Sequence, residues 1–150
     1  MMHEKPLILL VEDSDEDYET IRRALNQVNL GNTLIRFEDG DQALDYLFHR
    51  ARYENPEASP RPSLILMDLN LPGTDGRAVL AQIKGNPDLR QIPVVVMTTS
   101  SDERDIAWSY AAGANSFIQK PLSFAGVVDA MKRVKEYWFD LVLFPKAQAR

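Results

Sequence analysis

The chain of 150 residues contains no cysteine, so disulfides and thiolate metal sites are excluded. It has no basic excess. Lys and Arg number 17 against 22 Asp and Glu, and the net charge of -5 with a pI near 5.0 argues against a general nucleic-acid binder. No segment approaches the roughly 18 apolar residues that span a bilayer. The N-terminus, Met-Met-His-Glu-Lys-Pro, shows no apolar leader and no cleavage pattern. There are no internal repeats and no low-complexity segments. The first apolar run is followed by acids, not by a glycine-rich phosphate cradle, which disfavours a nucleotide-binding α/β protein. A cytoplasmic protein without membrane or nucleic-acid contacts is expected. Its apolar share of 45% and charged share of 26% suit one ordinary globular domain.

Short apolar runs alternate with amphipathic stretches. Leu7 to Val11, Thr33 to Phe37, Leu64 to Met67, Ile92 to Thr98 and Phe117 to Gln119 read as strands. Continuous apolar runs, as opposed to alternating ones, are expected where a parallel sheet is covered on both faces. Ser14 offers an N-cap to a helix with Tyr18, Ile21, Leu25 and Val28 on one face. Helices also follow Gly40, Gly76, Asp102 and Phe124, and Gly113 is a helix-ending C′ residue. Tyr53 to Pro62, with three prolines, reads as a surface loop. Strict alternation implies a (βα)5 α/β fold, a doubly wound five-stranded parallel sheet in the order 2-1-3-4-5.

In such sheets ligands bind at the carboxyl ends of the strands. Here those ends carry Glu12-Asp13, Asp68, Thr98 and Lys120-Pro121. Three acids, a hydroxyl and an amine on one rim suit a divalent cation and a phosphoryl group. Each residue also has a plainer role. Glu12 and Asp13, like Ser14-Asp15-Glu16-Asp17, suit a helix N-terminus. Threonine favours strands, a lone lysine is usually a solvated surface residue, and Phe117 suits a core. His3 and His49 read as surface residues without function.

These motifs in this order, with Leu69-Asn70-Leu71-Pro72-Gly73-Thr74-Asp75-Gly76 after Asp68, resemble the receiver domain of two-component response regulators over about residues 6 to 135. The fold is then flavodoxin-like, with residues 1-135 as the receiver and 136-150 as a C-terminal extension. The loop near Pro56 to Pro62 and the aromatic ending narrow the resemblance to stand-alone regulators that partner bacterial phytochromes. The resemblance implies Asp68 as phosphoacceptor and Mg held by Glu12, Asp13, Asp68 and the Asn70 backbone carbonyl. It implies Thr98 and Lys120 as phosphoryl-stabilising groups, Thr98 and Phe117 as a switch, and a cis bond between Lys120 and Pro121. Thr98 is preferred to Thr99 because it directly follows the apolar run. Lys120 is expected at the rim, with little packing role.

The implied partner is a sensor histidine kinase, a bacteriophytochrome being the suggested class. Onward transfer to a histidine phosphotransfer protein is left open. Weak self-dephosphorylation is expected, not enzymatic turnover. A haloacid-dehalogenase-type phosphatase would need a second aspartate where Asn70 stands, and the intact motif set argues against a scaffolding pseudo-receiver. No DNA-binding output module is expected. Tyr137, Trp138, Phe139, Leu143 and Phe144 crowd the extension with apolar surface. They imply a homodimer contact or a folded-back tail, the dimer being preferred.

Overall fold

A computed structural model describes residues 6–145. Five strands, Ile8–Val11 (β1), Leu34–Phe37 (β2), Leu64–Met67 (β3), Val94–Thr98 (β4) and Ser116–Gln119 (β5), form one parallel sheet in the order 2-1-3-4-5. The helices between them are Asp15–Gln27 (α1), Gly40–Leu47 (α2), Gly76–Gly85 (α3), Glu103–Ala111 (α4) and Phe124–Lys135 (α5). The expected fold and strand order are both present.

Side chains alternate across a strand, so each run of apolar residues serves two cores at once. Leu9, Val11, Ile65, Met67, Val94 and Val96 face α2 and α3. Ile8, Leu10, Leu64, Leu66, Val95 and Met97 face α1 and α5. All four residues of β1 and of β3 are buried. This two-sided cover is why the runs are continuous.

The helix starts are set by side-chain caps. Ser14, Asp39, Asp75, Asp102 and Ser123 each accept a hydrogen bond from a backbone N–H of the following first turn. Gly76 matters most for the rim. A Cβ on it would lie 2.3 Å from the Asp68 carbonyl oxygen and 2.7 Å from Leu69 Cα, so only glycine lets α3 start against the end of β3.

α4 differs from the other helices. Its single buried residue is Ser109, whose hydroxyl has no hydrogen-bond partner, while Trp108 and Tyr110 are exposed.

Three expectations need correction or refinement. The proline-bearing loop is anchored: Tyr46 donates its hydroxyl to the Pro60 carbonyl at 2.5 Å, and His49 Nε2 meets the Ser59 carbonyl at 2.9 Å. His49 is therefore half-buried and holds the loop, contrary to the surface role expected of it; His3 lies outside the described residues. The tail continues α5 as a wider π-type turn, Glu136–Leu141. Helical spacing from Met131 and Val134 carries Trp138 onto the α5 core face, where Phe139 joins it. Phe144 folds over both, at ring-centroid distances of 6.4 and 5.8 Å. Of the five residues expected to meet a partner, Trp138, Phe139 and Phe144 are thus engaged within the chain. Tyr137 and Leu143 stay exposed, as does Leu141.

Candidate functional site

The site forms where β1, β3, β4 and β5 leave the sheet. Glu12 and Asp13 follow β1, Asp68 follows β3, Thr98 ends β4, and Lys120 follows β5. Strand pairing fixes their register. Val11 lies opposite Met67, and Asp68 donates its N–H to the Val11 carbonyl at 3.1 Å. Lys120 donates its N–H to the Thr98 carbonyl at 2.7 Å, so the backbones of these two residues are locked together.

Carboxylate oxygens of Glu12, Asp13 and Asp68 all lie within 4.8 Å of one another. Hard oxygen donors in such a cluster suit Mg²⁺, Ca²⁺ or Mn²⁺ and not a soft metal. The residues present therefore fit a divalent cation. Glu12 is 1% exposed and Asp68 7%, whereas Asp13 is open to solvent.

Lys120 enters this cluster from β5. Its Nζ donates to Glu12 Oε1 at 2.5 Å, Asp68 Oδ2 at 2.7 Å and Asp17 Oδ2 at 2.8 Å. Lys120 stands on the rim as expected, but its side chain is only 10% exposed, so the small packing role expected of it is not what the fold provides. The reason is electrostatic: buried carboxylates need a counter-charge. Burial alone would lower the Lys120 amine, but its bonds to Asp17, Asp68 and Glu12 outweigh that and hold it above its ordinary 10.5. Burial pushes Glu12 above its ordinary 4.5, against the pull of Lys120 and of the Ser14 N–H.

The second oxygen of each buried acid is also held. Ser14 donates its N–H to Glu12 Oε2 at 3.2 Å, and Asn70 donates its N–H to Asp68 Oδ1 at 3.1 Å. Arg36, on β2, donates from Nε to the Glu12 carbonyl at 3.0 Å and pairs through Nη1 with Asp15 at 2.9 Å.

The expected cis bond at Lys120-Pro121 is absent. All peptide bonds among the described residues are trans. Trans is the ordinary state of X–Pro, preferred by about 0.5–1 kcal/mol, and the Lys120 amine reaches the three acids with that geometry.

Thr98 is fully buried, and its hydroxyl has no hydrogen-bond partner. Thr99 is exposed. Phe117 is half-buried against the α2–α3 core, and its N–H is bonded to the Tyr110 hydroxyl of α4 at 3.1 Å. Beside Thr98, Ser100 donates to Asp105 Oδ2 at 2.9 Å, and Arg77 of α3 donates to Asp105 Oδ1 at 2.8 Å. α4 is thus tied at one end to α3 and to the β4–α4 loop, and at the other to β5.

Sequence reasoning missed Asp17 as a member of the site. It lies among four polar residues that suit a helix start in any protein, and only the fold separates it from them. Arg36 was missed for a similar reason, since nothing local links a strand arginine to the turn after β1.

The response regulator receiver domain family matches residues 8–132. The response regulator Rcp1 of Synechocystis sp. is 43% identical over 141 residues, 94% of each chain. The crystal structure of the Mn(2+)-bound form of Rcp1 superposes with a TM-score of 0.85 at 42% identity, covering 94% of this chain and 99% of that one. The phosphorylated cyanobacterial phytochrome response regulator RcpA superposes with a TM-score of 0.88 at 38% identity, covering 95% and 100%. The family match runs from the first residue of β1 into α5, and so takes in every strand end that carries the acids, the threonine and the lysine. The chain belongs to the response regulator receiver domain family.

Proposed function

We propose that the chain is a response regulator that accepts a phosphoryl group on Asp68 from a sensor histidine kinase and signals by a change of conformation. The observation that carries this reading is Asp68 itself: a nearly buried carboxylate inside a cation-fitting acid cluster, with the Lys120 amine 2.7 Å from Oδ2. In the reaction a carboxylate oxygen of Asp68 attacks phosphorus, forming an acyl phosphate, and the bond from phosphorus to the kinase histidine breaks.

The chain's own groups have distinct parts. The Asn70 N–H holds Oδ1 and so orients the carboxylate. Lys120 supplies a compact positive charge for a phosphoryl oxygen. Glu12, Asp13 and Asp68, with the Asn70 carbonyl, would hold magnesium. When bound, that ion would neutralise the cluster and the incoming phosphoryl oxygens. The unpartnered Thr98 hydroxyl is a donor waiting for an acceptor. Once it turns to the phosphoryl group, the strain passes through the Thr98–Lys120 backbone bond to β5, where Phe117 and its bond to Tyr110 carry it to α4.

The likeness to RcpA, a cyanobacterial phytochrome response regulator, favours a phytochrome as the kinase. A homodimer is the second part of the proposal. Tyr137, Leu141 and Leu143 remain exposed beside the packed Trp138, Phe139 and Phe144. Each large side chain buried contributes roughly 1.5–3 kcal/mol, so three per subunit are of the size needed against an association entropy of about 4–15 kcal/mol. Sedimentation equilibrium of wild type and Leu141→Asp/Leu143→Asp checks it: a dimer that the double variant abolishes is expected, and a monomeric wild type contradicts it.

The main test uses acetyl phosphate. Wild type with Mg²⁺ is expected to gain one acid-stable, hydroxylamine-sensitive phosphoryl group. Equal labelling of Asp68→Asn, or labelling indifferent to EDTA, would sink the proposal.

A further inference from the structure

The Lys120 amine has three N–H donors and no acceptor, and in this structure all three are taken by acids. Two of those acids, Glu12 and Asp68, are also members of the cation cluster. A divalent cation and Lys120 therefore draw on the same two carboxylates. The third acid, Asp17, stands outside that cluster. It sits in the first turn of α1 with 44% of its side chain exposed, against 2% for Glu12 and 9% for Asp68.

An acid in that turn has an ordinary role in complementing the helix dipole. Its neighbours show how that role looks here: Asp15 and Glu16 are exposed, and Asp15 turns to Arg36. Asp17 turns inward instead. The Ser14 hydroxyl caps the Asp17 backbone N–H, and the Asp17 carboxylate is bonded to Lys120.

We infer that Asp17 is a positioning residue for Lys120: it keeps the amine on the α1 side of the site, so that Glu12 and Asp68 can give their oxygens to a divalent cation. Without Asp17, the amine falls back wholly on Glu12 and Asp68 and screens them from the cation. With Asp17, Lys120 has a partner that cation entry does not remove, and stays close enough to meet a phosphoryl oxygen on Asp68. The inference rests on the reading of Glu12, Asp13 and Asp68 as the cation site.

Removing Asp17 has two effects on cation binding. One is the loss of a nearby negative charge, which acts with or without Lys120. The other is the release of Lys120 onto the cluster, which vanishes when Lys120 is absent. A double-mutant cycle separates them.

The experiment is a Mn²⁺ titration followed by electron paramagnetic resonance of the free ion, with no phosphodonor present. Asp17→Asn is expected to weaken Mn²⁺ binding roughly tenfold, within the range for coupled neighbours, and Asp17→Glu to recover most of the loss. In a Lys120→Ala background, Asp17→Asn should cost no more than about twofold, the residue expected of its charge alone. A Lys120→Gln background, which keeps the side chain's length, serves if Lys120→Ala melts at the working temperature. Circular dichroism melts of each variant show that it is folded. Equal losses in both backgrounds would overturn the inference, because Asp17 would then act only through its charge. No loss on the wild-type background would overturn it too, because Lys120 would need no anchor. If Asp13→Asn and Asp68→Asn leave Mn²⁺ binding unchanged, the reading of the cation site itself fails, a result distinct from both.

Discussion

The carboxyl rim of the sheet has two halves built in opposite ways. On the β1–β3 side, the buried acids are over-supplied with partners: Glu12 bonds Lys120 and the Ser14 N–H, and Asp68 bonds Lys120 and the Asn70 N–H. On the β4–α4 side, buried polar groups stand idle. The Thr98 hydroxyl at the rim has no partner, and neither has that of Ser109 farther along α4, the one buried residue of that helix. The first half holds charge in place. The second is held by a few polar ties and little apolar packing, which is the composition of elements that open or shift at low cost. Tight charge pairing and sparse apolar packing are thus neighbours, joined by the backbone bond between Lys120 and Thr98.

The largest effect expected is from Lys120→Ala. It leaves Glu12 and Asp68 buried without their counter-charge, and breaking a buried pair typically costs about 3–5 kcal/mol. Stability without metal should fall by that order, and millimolar Mg²⁺ should return part of it. Urea unfolding with and without Mg²⁺ measures this. A melt close to wild type in EDTA would mean that the β1–β3 half is less tightly charge-balanced than its distances imply.

An intermediate effect is expected on the other side. Thr98→Val and Ser109→Ala each remove a buried hydroxyl that has no partner, and such a hydroxyl costs about 1–3 kcal/mol to leave unsatisfied. Both variants should be as stable as wild type or more stable, by about 1 kcal/mol. Thr98→Val should still be labelled at Asp68, but α4 should no longer respond. Loss of stability in either variant would show that the hydroxyl is engaged, and would erase the contrast between the halves.

The fold and most of the rim could be read directly from the chain. Two-sided burial turns strands into apolar runs such as Ile8 to Val11, and a carboxylate ending such a run is conspicuous. What could not be read depended on long-range contacts or on local context shared with unremarkable helix starts. Asp17 looks like any first-turn acid until Lys120, 103 positions later, is placed beside it. Lys120 itself looks like a surface lysine, and its burial follows only from the convergence of acids on different strands. The cis bond expected at Pro121 came from resemblance and not from any property of the residues, and the structure does without it. The tail's apolar residues were evident, but which of them cover α5 depends on the turn widening at Glu136–Leu141.

The smallest effect concerns the ties on α4. Arg77, and then Ser100, hold the Asp105 carboxyl below its ordinary 3.8. Its folded value lies below its unfolded one, so the contribution of this tie to stability is complete above 3.8 and is lost as pH falls through the lowered value. The melting temperature of Asp105→Asn should lie slightly below that of wild type at neutral pH, and the gap should close in acid below 3.8. A gap that persists there would mean that Asp105 acts through packing and not through its charge.

The division of the rim is tested most directly by amide hydrogen exchange with and without beryllofluoride and Mg²⁺, the acyl-phosphate mimic. Changed protection is expected along α4 and at Phe117 in β5, with the amides of β1 and β3 unchanged beyond Asp68 and its neighbours. Uniform change across the sheet, or an α4 that does not respond while Asp68 is occupied, would contradict it.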